Sequence, residues 1–239
     1  MTRFVFWLAL AGALTAQAAD KINTAKGDLE VHPIRHGTVV FKWNGKTVFV
    51  DPVGGAAPFK PYGVPDLVLV TDIHGDHFNK GTLEAIVKNK TVVITPEAVA
   101  SLAPEGFKKR ITTLSNGKLV EKLGVKIKAV PMYNLTAARL RFHNKGRGNG
   151  YVMTFGGKRV YVSGDTEDIP EMRALKNIDA AFVCMNLPFT MTPEQAADAV
   201  WEFKPKIVYP YHYRGSDTAE FKKLVGDASE VRLRDWYKN

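Results

Sequence analysis

Four metal-capable side chains stand within six residues at the end of an apolar strand, and an ordinary hydrophobic core does not tolerate that. Leu67 to Val70 is apolar throughout, Thr71 ends it, and the chain continues Asp72-Ile73-His74-Gly75-Asp76-His77. Carboxylates and imidazoles at that density need partners when buried. One divalent cation would satisfy several of them at once. The alternation of Asp72, His74 and Asp76 puts three ligands on one side of an extended loop, and Gly75 leaves room for a tight turn and close backbone approach.

Two later strand ends carry similar residues. Ser163-Gly164-Asp165-Thr166 follows the run Arg159 to Val162, and His212 closes the run Ile207 to Tyr211. Gly-Asp alone is a common turn, and a lone strand-end histidine is often an ordinary half-buried one. Their weight comes from the shared position: three strand ends, each with an acid or an imidazole.

The rest of the chain predicts many short strands and fewer helices. Gly37 to Trp43, then Asn44-Gly45, then Lys46 to Val50 reads as a hairpin. Further strands are expected at 66–70, 91–94, 125–130, 151–155, 159–162, 178–183 and 207–211, with Gly156-Gly157 making a second hairpin turn. Helices are expected at 81–88, 96–102, 193–203 and 218–225. The third has Thr192 as N-cap, Pro193 as first helical residue and Gln195 as capping-box partner. Strands first, then strands and helices mixed, argue two sheets with helices on their outer faces. No linker composition, solenoid repeat or low-complexity tract divides the chain, so one domain is expected over 19–239.

The first residues read as a leader. Arg3 precedes the apolar run Phe4 to Leu14, which is too short to span a bilayer as a mature helix. Ala16-Gln17-Ala18 then has the small-x-small pattern of a signal-peptidase site. Cleavage is expected after Ala18, with an uncleaved N-terminal anchor as the alternative. A cleaved leader places the protein in the periplasm or outside the cell, without a stable membrane anchor. The formal charge is +9, but the lysines are scattered, and no basic motif is interleaved with aromatics as single-strand binders require. A small-molecule substrate is expected, not nucleic acid. The single cysteine, Cys184, lies in an apolar run and is expected to be a buried, inert thiol; the count rules out a cysteine metal site or a disulfide framework.

Taken together, the pieces resemble the metallo-β-lactamase superfamily, whose hallmark loop reads T-H-x-H-x-D-H. Pro65 to Thr71 leading into the loop, Asp51-Pro52-Val53 after an early strand, Gly164-Asp165 and His212 all match. The likeness runs from about Leu29 to Gly215 and is greatest to the branch that includes the ascorbate-phosphate lactonases. It implies an α/β (α+β) fold, a four-layer αββα sandwich of two mixed β-sheets flanked by helices. It implies metal ligands at Asp72, His74, Asp76, His77, Asp165 and His212, with Asp165 bridging two positions and Asp76 orienting the attacking hydroxide. One or two divalent ions are implied, zinc first, with manganese and iron as alternatives. Such a site acidifies a bound water towards neutrality.

The sequence departs from that pattern twice. Asp72 stands where the hallmark has its first histidine. The family's middle histidine is missing from Val130-Pro131-Met132-Tyr133-Asn134, where Asn134 offers an amide oxygen as a weak ligand and Tyr133 a hydroxyl for ligand or substrate. One firmly bound ion is therefore expected, the second weak or absent. His36 and Arg214 are candidate substrate contacts; His32 and His143 are read as surface residues. The segment 134–149, with Arg139, Arg141, Lys145 and Arg147, is either a mobile basic lid or a solvated loop. The expected function is metal-dependent hydrolysis of a small, anionic ester, lactone or phosphodiester. The alternative is a catalytically silent metal-binding protein, and an antibiotic-degrading β-lactamase is the least favoured reading.

Overall fold

Neighbouring residues of the early strands go to different cores, and that alternation makes the layers. In the computed structural model, which describes residues 19–237, β3 (Thr38–Trp43) sends Val39, Phe41 and Trp43 to one core and Val40 to another. β4 (Lys46–Val50) splits Val48 and Val50 from Phe49 in the same way, and β5 (Leu67–Leu69) splits Leu67 and Leu69 from Val68. This is the period of two of a strand buried on both faces. The larger core fills the space between the two sheets and continues onto the helices that cover the second; the smaller lies outside the first.

The first sheet runs in sequence order through β1 (Asp20–Thr24), β2 (Gly27–Arg35), β3, β4, β5, β6 (Val92–Thr95) and β7 (Ile111–Thr113). The second runs through β8 (Leu119–Lys122), β9 (Val125–Met132), β10 (Gly148–Phe155), β11 (Lys158–Val162), β12 (Ala180–Cys184), β13 (Ile207–Tyr211) and β14 (Glu230–Val231). Each half follows the same plan: a four-stranded antiparallel meander, then three parallel additions. Parallel pairs need crossovers. In the first half a 3-10 helix (Ala57–Tyr62) serves the β4–β5 crossover, α1 (Lys80–Ile86) the β5–β6 one, and α2 (Glu97–Leu102) with α3 (Glu105–Lys108) the β6–β7 one. Helices α4 (Pro170–Arg173), α5 (Pro193–Phe203) and α6 (Thr218–Val225) provide them in the second. The result is the expected sandwich of two mixed sheets with flanking helices.

Aromatic rings join the sheets. Phe41 meets Phe155 at 5.8 Å and Phe182 at 5.5 Å between centroids, the second edge-on. On the outer face of the second sheet, Phe203 of α5 stands edge-on to Tyr161. Helix α5 starts as predicted: Thr192 Oγ1 accepts from Gln195 N at 3.2 Å, and Gln195 Oε1 accepts from Thr192 N at 3.1 Å. Both hairpin turns are present, at Asn44-Gly45 and Gly156-Gly157. Cys184 is fully buried, and burial pushes its thiol up to about 12.

The sequence reading missed β1, β2, β7, β8, β14, α3 and α4. Strand β2, Gly-Asp-Leu-Glu-Val-His-Pro-Ile-Arg, shows why: only Leu29 and Val31 are fully buried, and Pro33 sits where the pairing register shifts, the setting in which a sheet tolerates proline. The leader assigned to residues 1–18 lies outside the described residues. Among the described residues no helix is long and apolar enough to cross a membrane.

Replacing Phe41 by Ala removes a ring that both sheets touch. Chemical denaturation should show a loss of about 3–5 kcal/mol; a loss below ~1 kcal/mol would mean that the sheets are not held together at this contact.

Candidate metal centre

The carboxyl ends of the central strands of both sheets point to one edge of the sandwich, where parallel sheets usually place ligands. Asp51 follows β4, residues 71–77 follow β5, His143 lies between β9 and β10, Asp165 follows β11, and His212 follows β13. His36 joins them from the turn between β2 and β3. His36, Asp51 and His212 all have left-handed backbones, with φ of 45°, 47° and 48°. Such conformations cost about 1–3 kcal/mol each for non-glycine residues and persist where the surroundings over-determine them.

Two donor groups result. Asp76, His77, Asp165 and His212 form the first, and Asp72, His74 and His143 the second. Asp165 touches both. Its Oδ2 lies 3.1 Å from His77 Nε2 and 3.3 Å from His143 Nε2, and its Oδ1 lies 3.3 Å from His212 Nε2. His212 Nε2 is also 3.3 Å from Asp76 Oδ2. Despite these distances, His77 Nε2, Asp165 Oδ1 and both ring nitrogens of His143 are buried without a hydrogen-bond partner. Donor atoms that are close yet not paired are aimed at a shared third point. Two ligands at 2.0–2.1 Å from one tetrahedral ion stand about 3.3 Å apart, so the arrangement fits a cation.

The surroundings orient the imidazoles. Asp51, fully buried, accepts from Thr71 N at 2.7 Å, from Thr71 Oγ1 at 2.6 Å and from His77 Nδ1 at 2.7 Å. With Nδ1 committed to Asp51, His77 presents Nε2 to the centre. Burial opposes charge on His77, but Asp165 and Asp51 outweigh it and raise its pKa well above the usual imidazole value. Burial likewise opposes charge on Asp165, and His212 and His77 nonetheless hold it well below the usual carboxylate value. Gly37 packs tightly against these rings: a Cβ would stand 3.2 Å from the His212 ring and 3.3 Å from the His77 ring, so a larger residue would push on both imidazoles.

Asp72 is held differently. Arg147 donates Nε to its Oδ1 at 3.0 Å and Nη2 to its Oδ2 at 2.9 Å, and His74 Nδ1 lies 2.9 Å from Oδ2. Against the cost of burial, His74, His77 and Arg147 bring Asp72 down to about 2. The His36 ring lies against that of His212, 3.6 Å between centroids and tilted by 34°. Its Nε2 lies 3.1 Å from Asp76 Oδ2 and its Nδ1 2.7 Å from the Tyr237 hydroxyl. A cavity of about 480 Å³ opens over the centre, with Phe142, Leu187 and Phe189 on its walls and Asn186 and Arg214 among its polar lining.

Residues 30–212 match the family model described as beta-lactamase superfamily domain. The UPF0173 metal-dependent hydrolase of Thermococcus onnurineus is 34% identical over 199 residues, which cover 78% of this chain and 88% of the relative. A UPF0173 metal-dependent hydrolase of Thermus thermophilus is 33% identical over 214 residues, 87% of this chain and 92% of the relative. Among solved structures, a Parabacteroides distasonis protein described as a metal-dependent hydrolase aligns with a TM-score of 0.84 at 38% identity, covering 90% of this chain and 97% of that one. A metallo hydrolase of Ignicoccus hospitalis aligns with a TM-score of 0.73 at 22% identity, covering 88% and 96%, a likeness of fold.

Several sequence expectations need correction. His143, read as a surface residue, is buried and beside Asp165. The Asn134 amide nitrogen donates to the carbonyls of Phe189 at 2.7 Å and Arg139 at 3.0 Å, tying two loops together, while its Oδ1 is buried without a partner. The Tyr133 hydroxyl donates to Glu171 at 2.9 Å and accepts from Lys145, outside the cavity lining. The hallmark loop is not extended. His77 N and Phe78 N both donate to His74 O, a turn that sends His74 to one donor group and Asp76 and His77 to the other. Gly75 has an ordinary φ and open space at its Cβ position, so nothing there requires glycine. His32 is half-buried against Tyr62.

The basic segment is not a free lid, because three of its cations are used internally. Arg139 bonds Glu167 at 2.5 Å, Lys145 bonds Glu171 at 2.9 Å, and Arg147 holds Asp72. Glu167 also accepts from Leu135 N and Thr136 N. Glu167→Gln should therefore loosen the segment. Tryptic cleavage after Arg139 and Arg141 should accelerate about tenfold, since opening by ~1.4 kcal/mol less is tenfold in population. An unchanged cleavage rate would show that other contacts hold the loop.

Proposed function

We propose that this chain, which belongs to the metallo-β-lactamase superfamily and within it to the UPF0173 metal-dependent hydrolases, hydrolyses a small anionic ester, lactone or phosphodiester with the help of one or two divalent ions. The observation that carries the reading is the set of unpaired, buried donor atoms converging around Asp165. Asp76, His77, His212 and Asp165 would hold one ion. His74, His143 and Asp165 would hold the other. An all-nitrogen-and-oxygen donor set suits zinc first, with manganese and iron accepted by the same chemistry. His143 weighs against a catalytically silent binder, since it supplies the imidazole that the sequence reading had found missing.

When bound, a divalent cation at this centre acidifies water and polarises the bond under attack. The chain's own groups do the rest. Hydrolysis joins the oxygen of water to the acyl or phosphoryl centre, and the leaving oxygen departs with a proton. A carboxylate only accepts, so His36 Nε2–H donates to Asp76 Oδ2 while the Tyr237 hydroxyl donates to Nδ1. That leaves Asp76 Oδ1 to orient the water and take its proton. The Asn186 amide and the Arg214 guanidinium belong to the polar lining of the cavity and would meet the substrate there. In this reading Asp72 is a positioning residue: both of its oxygens are engaged by Arg147, and it fixes which nitrogen His74 presents. The reading includes export, with residues 1–18 as a cleaved signal peptide, a single domain at 19–239, and a periplasmic or secreted mature protein.

Elemental analysis of protein purified without chelator tests the metal assignment. His77→Ala should lose an ion outright. Asp51→Ala should weaken binding about 10–100-fold, through His77 alone. Asp72→Asn should weaken the His74 position by a similar factor and leave the His77 position intact. Metal-loaded wild type should turn over a member of an ester, lactone and phosphodiester panel, and His77→Ala should not. Full metal content in His77→Ala, or a loaded wild type inert to the whole panel, would sink the reading.

A further inference from the structure

The cavity has two unlike ends. On one side Leu187 and Phe189 are 44% and 42% exposed, and the Phe189 ring stands edge-on to Phe142 at 5.0 Å. Large apolar side chains left open at the mouth of a catalytic cavity are waiting for an apolar cover. On the other side lie Arg35 and Arg214. A hollow of about 520 Å³ shares His36 and Arg214 with the main cavity and adds Arg35, Ile34, Pro58 and Tyr237. A smaller one of about 330 Å³ runs from Arg35 and Arg214 to Asp76. The candidate centre therefore stands between an apolar wall and an arginine wall.

The two arginines at this mouth are not spent on carboxylates of the protein itself. Among the described residues Arg139, Arg147, Arg173, Arg232 and Arg234 each reach a carboxylate. Arg35 and Arg214 reach none; Arg110, Arg141 and Arg159 also reach none, but among the described residues Arg35 and Arg214 are the arginines that line the hollows beside His36 and Asp76. Arg214 lies 5.9 Å from the Tyr237 ring centre, and Arg35 passes over Gly54, where a Cβ would stand 2.9 Å from its Nη1. Two guanidiniums without internal partners, facing one hollow, are suited to a carboxylate or phosphate.

We infer that the substrate is amphiphilic: the hydrolysable bond lies between an acyl or aryl group, which covers Phe142, Leu187 and Phe189, and an anionic group, which Arg35 and Arg214 receive. The inference rests on the proposed hydrolytic centre and names the substrate class for it. The two ends act independently, because Phe142, Leu187 and Phe189 line the main cavity alone, while Arg35 lines only the hollows beside it and Arg214 spans both.

Hydroxamates test this without presuming which bond is cleaved, since the head chelates the metal in every case. Four probes suffice: N-methylacetohydroxamate, N-methylhexanohydroxamate, and the N-(2-carboxyethyl) analogues of both. Calorimetric titration of the metal-loaded protein reads their affinities. The hexanoyl group should tighten binding about tenfold over acetyl, and Phe189→Ser with Leu187→Ser should remove most of that ratio. The carboxyethyl group should tighten binding about tenfold over methyl, less at high salt, and Arg35→Gln with Arg214→Gln should remove that ratio. Ratios near unity in wild type, or ratios that survive in the paired variants, would overturn the substrate class while the hydrolytic centre stands. Failure of the acetyl, methyl probe to bind would overturn the metal centre, and the substrate class with it.

Discussion

The carboxylate of Asp165 is the point on which the site depends. It is 3% exposed, an ionised group in a setting where an isolated charge would be far too costly. Three imidazoles offset that cost, and they arrive from three different loops: His77 after β5, His143 before β10 and His212 after β13. Two come from the second sheet's half of the chain and one from the first. The carboxyl edge of the sandwich must therefore close with both sheets in register, or the charge is left uncompensated. The same requirement explains the three left-handed non-glycine residues at this edge and the Gly37 beside the rings. Local strain is tolerated where the packing of two sheets and an electrostatic cluster both depend on it.

How much of this could be read from sequence follows from how local each cause is. Strand β5, the turn after it, the two glycine hairpins and the capping box of α5 are written within a few residues, and the periodic apolar runs made the two-sheet fold legible. Asp76, His77, Asp165 and His212 stand at strand ends, so a topological rule finds them. His143 does not stand at a strand end. It lies in a loop whose path is set by Asn134 bonding two carbonyls and by Glu167 gathering Leu135 N, Thr136 N and Arg139. No spacing near His143 announces those partners, all of them distant in sequence except at the loop's own start. The available signal was the Phe142-His143 pair shortly before the Gly146-Arg147-Gly148 run, where Gly148 must sit against the Thr71 carbonyl of the hallmark loop.

Charge shows the same limit. A formal charge of +9 and a cluster of arginines and lysines after Tyr133 suggest a surface that recruits anions. In the folded chain most of that cluster is turned inward or sideways onto Glu167, Glu171 and Asp72. Beside the candidate centre it is Arg35 and Arg214, far apart in sequence, that keep their charges off the protein's own carboxylates and line the same hollows next to Asp76. Composition counts charges, but the fold decides which of them remain unpaired, and only unpaired charges can select a ligand.

Asp72 brings these threads together. The hallmark loop of the superfamily carries a neutral histidine at this position, and a carboxylate adds a negative charge to a centre that already holds Asp76 and Asp165. Arg147 removes that excess. The bidentate pair is neutral as a unit, as a histidine is, and Arg147 also donates to the Phe142 carbonyl at 2.5 Å. The pair with Asp72 ties the loop carrying His143 to the loop carrying His74, and the bond to the Phe142 carbonyl closes the former on itself. The substitution of His by Asp is thus linked to the route by which His143 reaches the centre: the carboxylate recruits the arginine, the arginine draws the 142–147 loop over the hallmark turn, and the loop delivers an imidazole to Asp165. A residue that looks in sequence like a lost ligand is, in three dimensions, the anchor of the loop that brings His143 beside Asp165.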